Sequence, residues 1–349
     1  MNGIDDTRRA RRMRRRADEV VVVTGASAGV GRAAARAFAR RGARVGVIAR
    51  DATALQATCD DIEALGGKAV MCVADVARPA EVESAAAMIE DRLGPIDVWV
   101  NNAMVTVVSP VAELEADEVR RVTEVTYLGT VNGTLAALRR MRPRNRGTIV
   151  QVGSALAYRA IPLQAPYCGA KFAIRGFTDA LRSELLHDRS RVHVTMVQMP
   201  ALNTPQFDWC RTRMPRTPRP VPPVFQPEVA AEAIVFAAHH RRRELFVGGP
   251  TTKAIWLDKF VPGLLDHYLA RFGYSSQMSP TPVAPDRIDN LFQPVQGDRG
   301  AHGRFDGESR PVSVELWLAT HRALGLLALA GLAGMALALR RGQRQESRL

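Results

Sequence analysis

Tyr167 and Lys171 stand four residues apart in the stretch Ala165-Pro-Tyr-Cys-Gly-Ala-Lys. If that stretch is helical, both side chains project from one face, one turn apart. A tyrosine phenol titrates at about 10 and exchanges protons poorly near neutrality. A neighbouring ammonium favours phenolate and draws that value toward working pH. Ser154 lies thirteen residues before Tyr167, at the end of an apolar run that reads as a strand. Its hydroxyl is placed to hold a substrate oxygen. The three supply a proton donor, a group that tunes it and an orienting hydrogen bond. That set can protonate or deprotonate a carbonyl or alcohol oxygen while a hydride moves. A Tyr-x-x-x-Lys quartet alone is usually structural, so the reading depends on the elements around it.

Those elements begin at Glu19. Val20–Val23 form a fully apolar strand that runs into Thr24-Gly25-Ala-Ser27-Ala-Gly29-Val30-Gly31, and then into a helical stretch. Such a glycine loop lets backbone amides and a helix N-terminus approach a pyrophosphate. Apolar runs then alternate with helical ones: helix 52–65, strand 68–74, helix 79–92, strand 96–100, helix 114–142, strand 147–153, helix 165–188, strand 191–197, helix 228–239 and strand 244–247. The alternation predicts an α/β, Rossmann-like, doubly wound parallel sheet covered on both faces. Ligands in such sheets bind beyond the carboxyl ends of the strands. The glycine loop, Asp75, Asn101 and Ser154 all fall at such ends and should converge.

Over about residues 19–250 the pattern resembles the short-chain dehydrogenase/reductase family. It rests on the glycine loop, Asp75-Val76, Asn101-Asn102-Ala103, Ser154, Tyr167 and Lys171. The resemblance implies that Tyr167 is the acid/base, that Lys171 lowers its pKa and holds the nicotinamide ribose, and that Ser154 orients the substrate oxygen. It also implies cofactor contacts at Thr24, Gly25, Ser27, Gly29, Val30, Gly31, Arg50, Asp75, Val76, Asn101, Ala103, Pro200 and Thr204. Three departures stand out. Met104 replaces a glycine; Thr126 takes the place of the asparagine that helps hold a relay water; Ala201 follows Pro200 where a glycine is usual. A threonine hydroxyl at 126 is expected to serve the relay only in part. Residues 200–227 fall where the family carries its mobile substrate lid, and their apolar side chains suggest a greasy substrate.

Cofactor choice turns on the end of the second strand, where Ala49-Arg50 stands instead of the carboxylate that accepts from NAD ribose. NADP is therefore expected over NAD, with Asp51 capping the next helix.

The formal charge is +13, of which +8 sits in two short ends, residues 1–16 and 340–349. With four lysines and no helix-turn-helix, zinc-finger or RNP pattern, this reads as an arginine bias and argues against nucleic-acid binding. Cys59, Cys72, Cys168 and Cys210 are scattered without metal or disulfide spacing. No metal site is expected.

The chain divides into a disordered basic arm (1–17), one catalytic domain (18–250), a helical extension (251–273), a Pro/Gly/Asp-rich linker (274–312), an anchor helix (316–339) and a basic tail (340–349). Ala323–Leu339 is seventeen residues without a charge, at the short end for a bilayer span. It reads as a transmembrane anchor with the catalytic domain in the cytoplasm, or as a helix buried between copies of a homo-oligomer in a cytoplasmic protein. The expected partners are a small, apolar carbonyl/alcohol substrate, further copies of the chain in a homo-oligomer and, through the helix, membrane lipid. The leading reading is an NADP-dependent oxidoreductase. A catalytically weak dinucleotide-binding scaffold or redox sensor at a membrane is the alternative that Met104 and Thr126 keep open.

Overall fold

The computed structural model describes residues 18–321, so the basic arm and all of Ala323–Leu339 lie outside the described residues. Val20–Thr24 (β1) leads to Gly29–Ala39 (α1), Arg44–Ala49 (β2), Ala52–Ala64 (α2), Lys68–Val73 (β3), Pro79–Leu93 (α3) and Val98–Asn101 (β4). Asp51 caps α2 as expected, its carboxylate accepting from the Thr53 and Ala54 amides at 2.9 and 3.3 Å. A short Val107–Val108 strand (β5) precedes Ala116–Val122 (α4) and Gly129–Met141 (α5). The single helix expected over 114–142 is interrupted between these two by a π turn, Thr123–Leu128. Such turns often mark functional sites. Thr148–Ser154 (β6), Ala165–His187 (α6) and His193–Met199 (β7) follow.

Next come Gln206–Trp209 (α7), Arg211–Thr212 (β8), Arg216–Pro218 (β9), Val224–Phe225 (β10), Pro227–His239 (α8) and Glu244–Phe246 (β11). Seven parallel strands form one sheet in the order β11-β7-β6-β4-β1-β2-β3. From β1 the chain winds outward through β2 and β3, then returns to place β4 on the other side of β1. That reversal opens a crevice at the carboxyl ends of β1 and β4. Alternation along β1 supplies both cores. Val21 and Val23 pack with α1, α2 and α8, while Val20 and Val22 pack with α3, α5 and α6.

The C-terminal third departs from expectation. Gly249–Phe260 (α9) and Pro262–Phe272 (α10) are helices, as expected. Rather than packing their aromatic face on the sheet edge, they leave Trp256, Phe260, Leu264 and Tyr268 exposed. Residues 274–312 are not a linker. Met278–Pro282 (β12) pairs with β9, and Ser309–Arg310 (β13) pairs with β10. Leu291 is fully buried in one core, and Ala301 in the other. These pairings also pin residues 200–227, the expected mobile lid, whose β8 pairs with β5. Arg211 and Arg213 both reach the buried Glu118, at 3.3 and 2.8 Å.

The expected anchor, 316–339, begins inside the folded domain. Val314–Thr320 (α11), capped by Ser313, buries Leu316 in the core beside α8 and β11. No described helix is long and apolar enough to cross a membrane. Leu316→Ala should therefore destabilise the domain by about 2–5 kcal/mol, whereas truncating the half-exposed Trp317 should cost much less. Denaturant unfolding of both variants checks this; equal, small losses would place Leu316 outside the core.

Candidate active site

The crevice is built first from backbone. β1 ends at Thr24, whose hydroxyl donates to the Val100 carbonyl at 3.3 Å and accepts from the Asn102 and Ala103 amides at 2.9 and 3.2 Å. The Asn102 side chain donates through Nδ2 to the Thr24 carbonyl at 3.0 Å, closing the clasp. Gly25 has φ +66°, and a Cβ there would lie 2.7 Å from the Ala103 Cα. Only glycine lets the two loops approach this closely. Gly29, at φ +56°, opens α1; a Cβ there would reach within 3.3 Å of Thr204 and fill the gap between loop and pocket wall.

That gap belongs to a cavity of about 190 Å³. Gly25, Ser27, Gly29, Val30, Arg50, Asp75, Val76, Ala103 and Thr204, all among the positions at which the resemblance implies cofactor contacts, line it. Thr24 and Gly31 stand behind the loop and shape it. Pro200 follows β7 without lining the cavity, whereas Met104 and Trp209 do line it. Asn101 is a correction. Its side chain accepts from Trp99 Nε1 at 2.8 Å and donates to Thr134 Oγ1 and Gln151 Oε1 at 3.0 and 2.9 Å, in a buried network. Adjacent strand residues point to opposite faces, so Asn102 is the one that meets the cavity.

The proposed chemistry residues cluster where β6 meets α6. Ser154 ends β6, with its hydroxyl accepting from the Leu156 amide at 3.1 Å. Tyr167, in the first turn of α6, lies near enough to Ser154 for that hydroxyl to favour the phenolate. Lys171, one turn on, is buried, with Nζ 5.4 Å from the Tyr167 ring centre and donating to the Val152 carbonyl at 2.6 Å. Burial pushes the Tyr167 phenol up; the Ser154 hydroxyl opposes this, and Cys168 adds to it. Burial also pulls the Lys171 ammonium down to about 8. Burial of the phenol thus outweighs the downward pull expected of Lys171. Four free cysteines are all buried, and burial raises the Cys168 thiol, which keeps it protonated.

Thr126 sits in the π turn, fully buried. Its hydroxyl donates to the Val105 carbonyl at 3.0 Å and accepts from the Val105 amide at 3.2 Å, while its own carbonyl accepts from Thr130 Oγ1 at 2.9 Å. These bonds fix the loop after β4 and leave the hydroxyl committed to backbone.

Arg50 lines the cavity, but its guanidinium donates to the Asn290 and Phe292 carbonyls at 2.6 and 3.0 Å. Against the opposing effect of burial, the Ala77 amide at 3.0 Å and Arg121 at 2.5 Å hold the Asp75 carboxylate below the usual range. Sequence reasoning missed Asn290, Pro294, Val295, Gly297 and Arg299, which complete the wall from the segment read as a linker. The signal there was faint, a few apolar residues such as Leu291 among prolines and glycines.

The residues present suit a nicotinamide dinucleotide. The Gly29 cradle accepts backbone-sized approach, and the buried Lys171 ammonium spends one of its three donors on Val152. A parallel sheet with a glycine loop at its reversal point and a Ser-Tyr-Lys cluster defines a dinucleotide-dependent oxidoreductase. The family described as short chain dehydrogenase matches residues 19–213. The chain belongs to the short-chain dehydrogenase/reductase family. It is 32% identical over 289 residues to the uncharacterized oxidoreductase YxnA of Bacillus subtilis (strain 168), covering 82% of this chain and 81% of that one. It is 34% identical to 3-dehydrosphinganine reductase of Danio rerio over 54% of this chain and 57% of that one. Among solved structures, an alcohol dehydrogenase from the archaeon Thermococcus sibiricus complexed with 5-hydroxy-NADP superposes with a TM-score of 0.57 at 25% identity, over 66% of this chain and 95% of that one. A metagenomic short-chain oxidoreductase in complex with NADP gives 0.56 at 26%, over 66% and 96%.

The Lys171 shift carries a stability signature. Unfolded, the amine titrates at about 10.4; folded, at about 8. Between those values the unfolded chain holds a proton that the folded chain lacks, so stability contributed by this group rises with pH across the window. Below it, the full cost of burying the ammonium is borne. Lys171→Met should erase that rise. Melting temperatures without dinucleotide at pH 7.5 and 9.5 test it; a wild-type-to-variant gap that is the same at both pH values contradicts the buried ammonium.

Proposed function

We propose that this chain is an NADP-dependent oxidoreductase that interconverts an apolar carbonyl compound and its alcohol, with Tyr167 moving the proton. The observation that carries this reading is the clustering of Ser154, Tyr167 and Lys171 at the carboxyl end of β6, with Lys171 Nζ 5.4 Å from the Tyr167 ring centre. When bound, the dinucleotide supplies or takes the hydride. Ser154 orients the substrate oxygen, and the Tyr167 phenol gives its proton to that oxygen as it becomes an alcohol. Lys171 stabilises the phenolate left behind and offers its remaining donors to ribose hydroxyls. Preference for NADP is supported by Ala49-Arg50 at the end of β2 and by the ligands of the two structural neighbours. Met104 and Trp209 on the cavity wall favour an apolar substrate.

The second reading, a dinucleotide-binding scaffold of little turnover, is favoured by one observation: the Thr126 hydroxyl is occupied by Val105 and is not turned to a relay. Tyr167→Phe separates the two. It should lower turnover of NADPH with a panel of ketones and aldehydes by about 10²–10⁴-fold, while NADPH affinity by fluorescence titration stays close to wild type. Unchanged turnover rules out the assigned proton donor.

A bilayer role for Ala323–Leu339 rests on sequence alone. Because Leu316 belongs to the core, the suitable truncation is 1–321. The full-length chain should sediment with carbonate-washed membranes and the 1–321 form should not; a soluble full-length chain ends the anchor reading.

A further inference from the structure

We propose that residues 286–306 form a strap belonging to the dinucleotide site, which must part from the glycine loop for the cofactor to bind and which then offers Arg299 to a cofactor phosphate. The inference rests on the dinucleotide reading above and extends it to a segment outside the family match at 19–213.

Five ties hold the strap across the crevice. Arg50 donates to the carbonyls of Asn290 and Phe292, and Arg121 Nε donates to the Leu291 carbonyl at 3.1 Å. The Gly297 amide donates to Asp51 at 2.9 Å. Asp298 pairs with Arg32, a buried residue of α1 that also holds Asp61 at 2.8 Å. Last, the Gly29 amide donates to the Gly300 carbonyl at 3.1 Å.

The last tie is the informative one. An amide at the N-terminus of a helix in a glycine loop is a donor for an oxyanion, and here a strap carbonyl takes it. The same holds for Arg50, whose donors suit a 2′-phosphate and are spent on strap carbonyls. Both donors now serve neutral acceptors, and a phosphate oxygen makes the stronger, charge-assisted bond. Space points the same way. The cavity is about 190 Å³, whereas pockets for small molecules run to about 300–1,000 Å³, and a dinucleotide belongs at the upper end. The strap therefore gives way at 297–300 as the cofactor enters.

Arg299 sits between two of these ties, Asp298 on α1 and Gly300 on the glycine loop, and it lines the cavity. It is exposed and forms no ion pair or hydrogen bond among the described residues; the nearby Asp208 is held by Arg304 at 3.1 Å. A guanidinium lining the same cavity as Ser27–Val30 supplies the charge and the forked donors that a phosphate takes.

The test measures NADPH and NADH binding by stopped-flow protein fluorescence for wild type, Arg299→Gln and Asp298→Asn, with hydrogen exchange of peptides over 286–306. Arg299→Gln should weaken NADPH by about tenfold or more, the size of a lost charge-assisted contact. Asp298→Asn, which loosens the strap, should raise the association rate severalfold. NADPH should change exchange over 290–300 in the wild type, an arm that needs no variant to fold. Wild-type binding with affinities and association rates that ignore both substitutions, and exchange over 290–300 that ignores NADPH, would overturn the strap. If wild type binds neither dinucleotide, the function proposed above fails first and takes the strap with it.

Discussion

The Thr24 hydroxyl sits at the point where the sheet changes direction, and the architecture of the site depends on its three bonds. β1 pairs with β2 on one side and β4 on the other, with Val23 opposite Val47 and Val100. The loops leaving β1 and β4 must therefore diverge, one to α1 and one toward α4. Thr24 holds both by donating to Val100 and accepting from Asn102 and Ala103. A single side chain thus satisfies three backbone groups that an open crevice would otherwise leave to water. The close approach it enforces is what requires glycine at 25.

The polar groups around this crevice divide into those that position and those left available. Asn101, Gln151, Thr134 and Trp99 satisfy one another inside the sheet. Thr126 holds Val105, and Arg121 holds Asp75. Fully satisfied buried networks rigidify the elements that carry them. Around that frame the donors with capacity left include the Lys171 ammonium, the Ser154–Tyr167 pair and the Arg299 guanidinium. This economy links the core to the chemistry, since the groups that fix the loops are also those that cannot react.

Much of this was legible in the sequence, because it depends on side-chain periodicity. Fully apolar strands, period-3.6 helices and glycines at a strand–helix junction leave marks on residue type. The strap leaves almost none. Its ties run through backbone groups, the carbonyls of Asn290, Leu291, Phe292 and Gly300 and the amide of Gly297, and any residue can supply these. Composition rich in proline and glycine then looks like a linker, although here it permits a close-fitting path. The Asn101/Asn102 ambiguity has a different origin. Neighbouring strand residues face opposite ways, and the pattern alone does not say which faces the ligand. At Leu316 the helix is seven residues long, too short for a periodic stripe to separate it from the apolar run that follows.

The opposing shifts at Tyr167 and Lys171 share one cause, and that cause bears on direction. Burial disfavours charge on either group, so the phenol holds its proton through neutrality and the ammonium surrenders its own at about 8. A protonated phenol is the state that donates to a carbonyl oxygen gaining electrons. Abstracting a proton from an alcohol instead needs a phenolate, which in this setting depends on a charged Lys171 to offset desolvation. Raising the pH to form the phenolate removes that same charge. Under the proposed function, the state the folded cluster holds at neutral pH, a protonated phenol beside a charged ammonium, is the one that gives a proton to a carbonyl oxygen, and the low polarity around two groups a single helical turn apart is what keeps that phenol protonated.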